Sequence, residues 1–135
     1  MKFKSSTVVA DSSDEGVWVD FDTTSRVKVA RANNRAYRKC VRSLLTPTER
    51  RNPNVFLSED RAEEIAKTAA SQTILLGMKG FQEETESGDT LEIEYSPEKA
   101  LELFNKFPYF YDEVVALSND DTVFQESTRE ARMGN

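Results

Sequence analysis

The chain has no histidine and only one cysteine, Cys40, among its 135 residues. Without imidazole no histidine-based nucleophile relay is available, and one thiol does not make the usual zinc sites. A lone cysteine also excludes an internal disulfide and fits a reducing compartment. Glycine is sparse, and Gly77, Gly80 and Gly88 do not form a phosphate-binding pattern, so nucleotide-driven work has no support. The apolar run Ile74-Leu75-Leu76 is far short of the ~20 residues that span a bilayer. Lys2 and Lys4 precede only the short run Thr7 to Ala10, too little for a signal-peptide core, and an intracellular protein is expected. Hydrophobic residues make up 38% and charged residues 31% of the chain, which predicts one domain with a modest core. A flexible arm over 1–15, a single domain over 16–132 and a short tail over 133–135 are the expected divisions.

What is present is unevenly placed. Residues 26–51 hold nine Lys/Arg and one acid, whereas residues 82–135 hold four Lys/Arg and fourteen Asp/Glu. The chain is a dipole in sequence, with a net charge of −6. Val17, Val19 and Phe21 alternate with Trp18, Asp20 and Asp22, and Arg26-Val27-Lys28-Val29 alternates again after Thr23-Thr24-Ser25. A β-hairpin follows, with Asp20 or Asp22 able to pair across it with Arg26 or Lys28. Trp18 falls on the polar side, where it either covers a neighbouring helix or marks an interface.

Asn33 or Asn34 can cap a helix whose apolar positions Tyr37, Cys40, Val41 and Leu44 follow helical spacing. Cys40 on that stripe is expected to be a small buried hydrophobe. The opposite face carries Arg35, Arg38, Lys39 and Arg42, a purely basic stripe. Thr46 to Asn54 reads as an exposed loop. Ser58 caps a longer helix with Ala62, Ile65, Ala66, Ala69, Thr73 and Leu76 inward, and the all-round apolar stretch Ile74–Met78 is expected at its end, central to the core. After the Ser87-Gly88-Asp89 turn, Leu91, Ile93 and Tyr95 alternate as a strand.

Tyr95 to Leu117 is the most strongly specified stretch. Ser96 is an N-cap, Pro97 sits at the first helical position, and Ala100, Leu101, Leu103, Phe104 and Phe107 form an apolar face. Pro108 ends that helix near Phe107 and starts a second, with Phe110, Tyr111, Val114, Val115 and Leu117 inward. Five aromatics between Phe104 and Tyr111 exceed what one inner face requires, so some are expected to meet a partner. A last helix from about Asp120 or Asp121 presents Val123, Phe124 and Ala131. The expected fold class is α+β, mainly α-helical, with a small N-terminal β-hairpin and a helical bundle of about four to five helices.

No catalytic, cofactor-binding or metal-binding residue is expected. The acid pairs Asp20/Asp22, Glu92/Glu94 and Asp112/Glu113 lack a spaced basic or metal-orienting partner and read as solvated faces. The basic stripe has three readings: a solvated face, contact with nucleic-acid phosphates, or docking against acid on this chain or another protein.

In the order of its parts the chain resembles the small tail assembly chaperones of long-tailed bacteriophages. The resemblance rests on Gly16-Val17-Trp18-Val19, then Val27-Lys28-Val29-Ala30-Arg31-Ala32-Asn33-Asn34 with Tyr37, then Tyr95-Ser96-Pro97-Glu98-Lys99-Ala100, Leu103, Pro108 and Phe124, and covers residues 16–132. Met78-Lys79-Gly80-Phe81 stands where that family often has a tryptophan. The resemblance implies a non-enzymatic protein of the infected host's cytoplasm, left out of the mature virion. It would bind the tape measure protein, keep it soluble and help recruit the tail tube protein, often beside a longer frameshift isoform and with self-association. Under that reading Phe107, Phe110, Tyr111 and Phe124 form or support the apolar contact surface, and Arg35, Arg38, Lys39 and Arg42 bind an acidic partner. Two other classes stay open: a structural virion component such as a tail completion or connector protein, and a nucleic-acid-binding regulator using the basic face.

Overall fold

Alternation produces the expected hairpin. In the computed structural model, which describes residues 15–125, Val17–Asp20 (β1) pairs antiparallel with Arg26–Val29 (β2), Val17 opposite Val29 and Val19 opposite Val27. The arm up to residue 14, Ala131 and the tail lie outside the described residues. Asp22 closes the turn, its carboxylate accepting the backbone N–H groups of Thr24 at 2.8 Å and Ser25 at 2.7 Å. These bonds hold its carboxyl below the usual carboxylate range. Across the hairpin Arg26 meets Asp20 at 3.1 Å, an exposed pair of little energetic weight.

Asn34 caps the basic helix Arg35–Leu44 (α1), accepting the Tyr37 N–H at 2.8 Å, while Asn33 takes a left-handed φ of 56°. The segment expected to be a loop instead contains two short helices, Pro47–Arg51 (α2) and Pro53–Phe56 (α3). The signal was a capping box: Thr46 accepts the Glu49 N–H while the Glu49 carboxylate accepts the Thr46 N–H, and both helices start on proline. Ser58 then caps Glu59–Thr73 (α4).

The helical expectation for Ile74–Met78 is overturned. The helix stops at Thr73, and Leu75–Lys79 (β3) is a strand that adds antiparallel to β2, giving the order β1-β2-β3 with an irregularity at Lys28/Val29. An apolar run of this length has no period that separates buried strand from buried helix. Pairing with β2 decides the matter, because Leu75 and Met78 enter the core while Gly77 lies beneath the Trp18 ring. Gly80, at φ 78°, turns the chain out of the strand; a Cβ there would run into the Thr24 carbonyl oxygen. Gln82–Glu84 (β4) and Thr90–Glu92 (β5) make a second hairpin around the expected turn, where Gly88 has φ 86°.

Pro97–Lys106 (α5) and Pro108–Ser118 (α6) run where the capping and proline signals place them, with Ser96 accepting the Lys99 N–H at 3.0 Å. Helical residues resume at 121. The inner sheet face, α4, α5 and α6 enclose a core that includes Val27, Val29, Ile74, Leu75, Leu103, Phe104, Phe110 and Val114. Asn34 ties α1 inward, donating to the Thr73 carbonyl at 3.1 Å, and Tyr95 donates to the Leu75 carbonyl at 2.6 Å. The result is the mixed, mainly helical fold with a small antiparallel sheet near its N-terminus that the sequence led one to expect.

Candidate partner-binding site

The α5–α6 junction divides its aromatics between inside and outside. Phe104 is fully buried and Phe110 is 5% exposed. Phe110 is the hub, with the rings of Phe21, Phe81 and Phe104 between 5.4 and 5.8 Å away. Each such ring pair contributes about 0.5–1.5 kcal/mol beyond its buried area. Tyr111 is half-buried, edge-on to Phe104 at 5.1 Å with the Lys67 ammonium 5.6 Å from its ring, and burial pushes its phenol up. Phe107 is likewise half-buried and packs against the core, while Tyr109 is 68% exposed, and the rings of these two meet at 6.0 Å.

Those two rings border a cleft of about 380 Å³ between the β1–β2 turn, the β3–β4 turn and the helix junction, with Phe21, Met78, Phe81 and Phe110 in its walls. It is an open, aromatic-walled depression whose one charged lining group, Asp22, is occupied by its own turn. Such a surface has the shape and the walls to take apolar side chains.

Of the four apolar residues expected at a contact surface, Phe107 reaches the cleft and Tyr111 only part of the surface. Phe110 and Phe124 are core residues that support the surface from beneath: Phe110 faces the sheet, and Phe124 is 1% exposed with the Arg31 guanidinium 4.8 Å from its ring. Tyr109 was missed although it is the most exposed of the five junction aromatics. Its place directly after the helix-starting proline, off the stripe of Phe110 and Val114, was the available signal.

The basic stripe is intact. Arg35, Arg38, Lys39 and Arg42 are all exposed, and none forms an ion pair among the described residues. Helix α1 packs on α4. A shallow groove of about 300 Å³ runs beside it, lined by Tyr37, Val41 and Leu45 with Arg38 and Arg42. Cys40 is half-buried, not fully buried, and its thiol lies 3.6 Å from the Gln72 side chain. Burial raises its pKa.

Elsewhere several charges are paired. Glu83 receives Lys99 at 2.9 Å and Lys106 at 3.1 Å, and hydrogen bonding from Lys99 first, then Lys106, holds its carboxyl below the usual range. Arg61 joins Glu49 at 3.3 Å and donates to the Leu44 carbonyl at 3.0 Å, tying α2 to α4. Trp18 lies half-buried on the outer sheet face with the Lys79 ammonium 4.3 Å from its ring. Among the described residues no group of three or more acidic or thiol side chains converges as a metal site, and no helix is long and apolar enough to cross a membrane.

Residues 32–135 match the family model described as YdaY prophage protein. No curated protein and no solved structure matches the chain.

Proposed function

The chain belongs to the YdaY prophage protein family and is phage-derived, and from that premise we propose that it is a non-enzymatic tail assembly chaperone. It holds the tape measure protein in solution, without nucleotide hydrolysis, until tail tube subunits assemble around that client. The observation that carries this reading is the aromatic-walled cleft at the α5–α6 junction, bordered by half-buried Phe107 and exposed Tyr109 above a core that holds Phe104 and Phe110. A holdase needs an apolar surface open in the folded state, because its client's apolar helix faces have no other shelter before assembly. The cations of α1, exposed and unpaired among the described residues, supply a second contact suited to acidic stretches of a partner. The same reading puts the protein in the host cytoplasm and outside the finished particle.

Co-expression with the tape measure protein of the same prophage tests this. The expected result is more soluble client and a recoverable complex, both reduced by Tyr109→Ser, an exposed position, with circular dichroism unchanged from the wild type. Client solubility that is the same with and without this chain ends the chaperone reading. Mass spectrometry of purified particles separates it from a structural virion component, which would be present in stoichiometric amount.

A further inference from the structure

The second hairpin and its lead into α5 carry charge of one sign. Between Lys79 and Lys99 the chain has seven carboxylates and no Lys or Arg. Glu83 is used within the fold by Lys99 and Lys106, whereas Glu92 and Glu94 are exposed and form no ion pair among the described residues. Strands β4 and β5 make a sheet of two, so β5 has β4 on one edge and no strand on the other among the described residues. A groove of about 410 Å³ lies beside β5 and the start of α5, lined in unbroken order by Leu91, Glu92, Ile93, Glu94, Tyr95 and Ser96. Successive side chains of a strand point to opposite faces, so a groove that takes in every one of them follows the strand's edge rather than one face. Leu91 is 59% exposed within it. Lys99, the one cation in the lining, is held by Glu83 at 2.9 Å and Glu102 at 3.2 Å.

We propose that the free edge of β5 binds an extended, basic segment of a partner protein, which adds to the hairpin as a third strand. Backbone N–H and C=O groups along an unpaired edge supply the attachment, as in other cases of strand addition. Pairing in register sets neighbouring side chains on the same face, which fixes the occupant's chemistry. Every second residue of the segment lies beside Leu91 and Ile93 and is apolar; the residues between them lie beside Glu92 and Glu94 and are Lys or Arg. The two carboxylates are not spent within the fold, so they are available to a cationic partner and repel a polyanion. An isolated two-stranded hairpin is marginal in water, and a third strand stabilises it. This contact is separate from the aromatic cleft, opposite in sign to the α1 stripe, and does not rest on the chaperone reading.

Fluorescence anisotropy of the full chain with a labelled octapeptide of alternating valine and lysine tests it, beside a control octapeptide of lysine alone. The wild type is expected to bind the alternating peptide, with affinity falling on the order of tenfold between about 0.05 and 0.5 M salt as the charges are screened. Glu92→Lys with Glu94→Lys, and separately Leu91→Ser, should each weaken that binding by about tenfold or more. Asp112→Lys with Glu113→Lys makes the same change of net charge at exposed positions of α6 and should lower it far less. All these positions are exposed, so circular dichroism should match the wild type. Amide exchange at residues 90–94 should slow in the complex, which charge attraction without strand pairing would not produce. An alternating peptide that does not bind overturns the proposal, as does equal binding of the lysine peptide, equal loss in the α6 variant, or exchange at 90–94 that the peptide leaves unchanged.

Discussion

Helix α1 and the α5–α6 hairpin are both amphipathic, yet they sit at different depths. No residue of α1 is fully buried, whereas α5 and α6 bury Ala100, Leu103, Phe104, Phe110, Val114 and Ser118. An apolar stripe tells which side of a helix faces protein, but the layer it faces decides how much of it leaves water. Helix α1 lies outside α4 and is held by the Asn34 bonds and the partial burial of Tyr37, Cys40 and Val41. The hairpin packs on both α4 and the sheet, α5 against α4 and β3 and α6 against β2, so more of its stripe leaves water. The outside of α1 can therefore be changed without touching the fold, whereas the hairpin has that freedom only at its exposed positions, Tyr109 among them.

The largest effect that would sharpen this contrast is expected at Phe104. Phe104→Ala should cost about 3–5 kcal/mol in urea unfolding, since a fully buried ring is lost and a cavity remains. Tyr37→Ala, on the half-buried stripe of α1, should cost less than half as much. Equal losses would show that α1 is as deeply integrated as the hairpin. Next comes Asn34→Ala, which removes the α1 cap and the bonds to the Arg31 and Thr73 carbonyls; a loss of about 1–2 kcal/mol is expected from the same measurement. A cost near zero would mean that α1 is held by something other than its first turn.

A smaller effect should appear on acidification. Glu83 has its folded pKa depressed by Lys99 and Lys106, so its contribution is present above the unfolded value of 4.5 and is lost as pH falls through the lower folded value. Glu83→Gln should therefore melt below the wild type at neutral pH, and the gap should close progressively below pH 4.5. A gap that does not change with pH would assign the effect to geometry rather than charge. The smallest change is expected for Arg38→Glu with Arg42→Glu, within about 0.5 kcal/mol of wild-type stability, because both groups are exposed and unpaired among the described residues. If α1 binds an acidic partner, the same double variant loses that complex, and pull-down at moderate salt reads it directly.

Much of this was legible where a few neighbouring residues settle the outcome. The sequence Ser96-Pro97 and the single Pro108 set the ends of α5 and α6, since hydroxyl capping and the missing proline N–H act within one turn. Valine alternation set the β1–β2 hairpin, and the spacing of Arg35, Arg38, Lys39 and Arg42 set an unbroken cationic face. The capping box at Thr46 and Glu49 was equally local but was hidden by the flanking prolines, which suggest a loop as readily as two helix starts. The candidate site was legible only as an excess of aromatics around Phe107.

By itself, then, the sequence determined the helices that begin on caps and prolines, the alternating hairpin and the split of charge along the chain. Tertiary structure alone decided that Leu75–Lys79 is a strand, that Phe110 closes a ring cluster with Phe21 and Phe81, and that Phe107 and Tyr109 stay outside it. The physical reason is range. Capping and steric exclusion by proline act over a few residues, whereas a strand needs a partner that here lies some fifty residues back along the chain. A side chain's burial likewise depends on every element that folds against it.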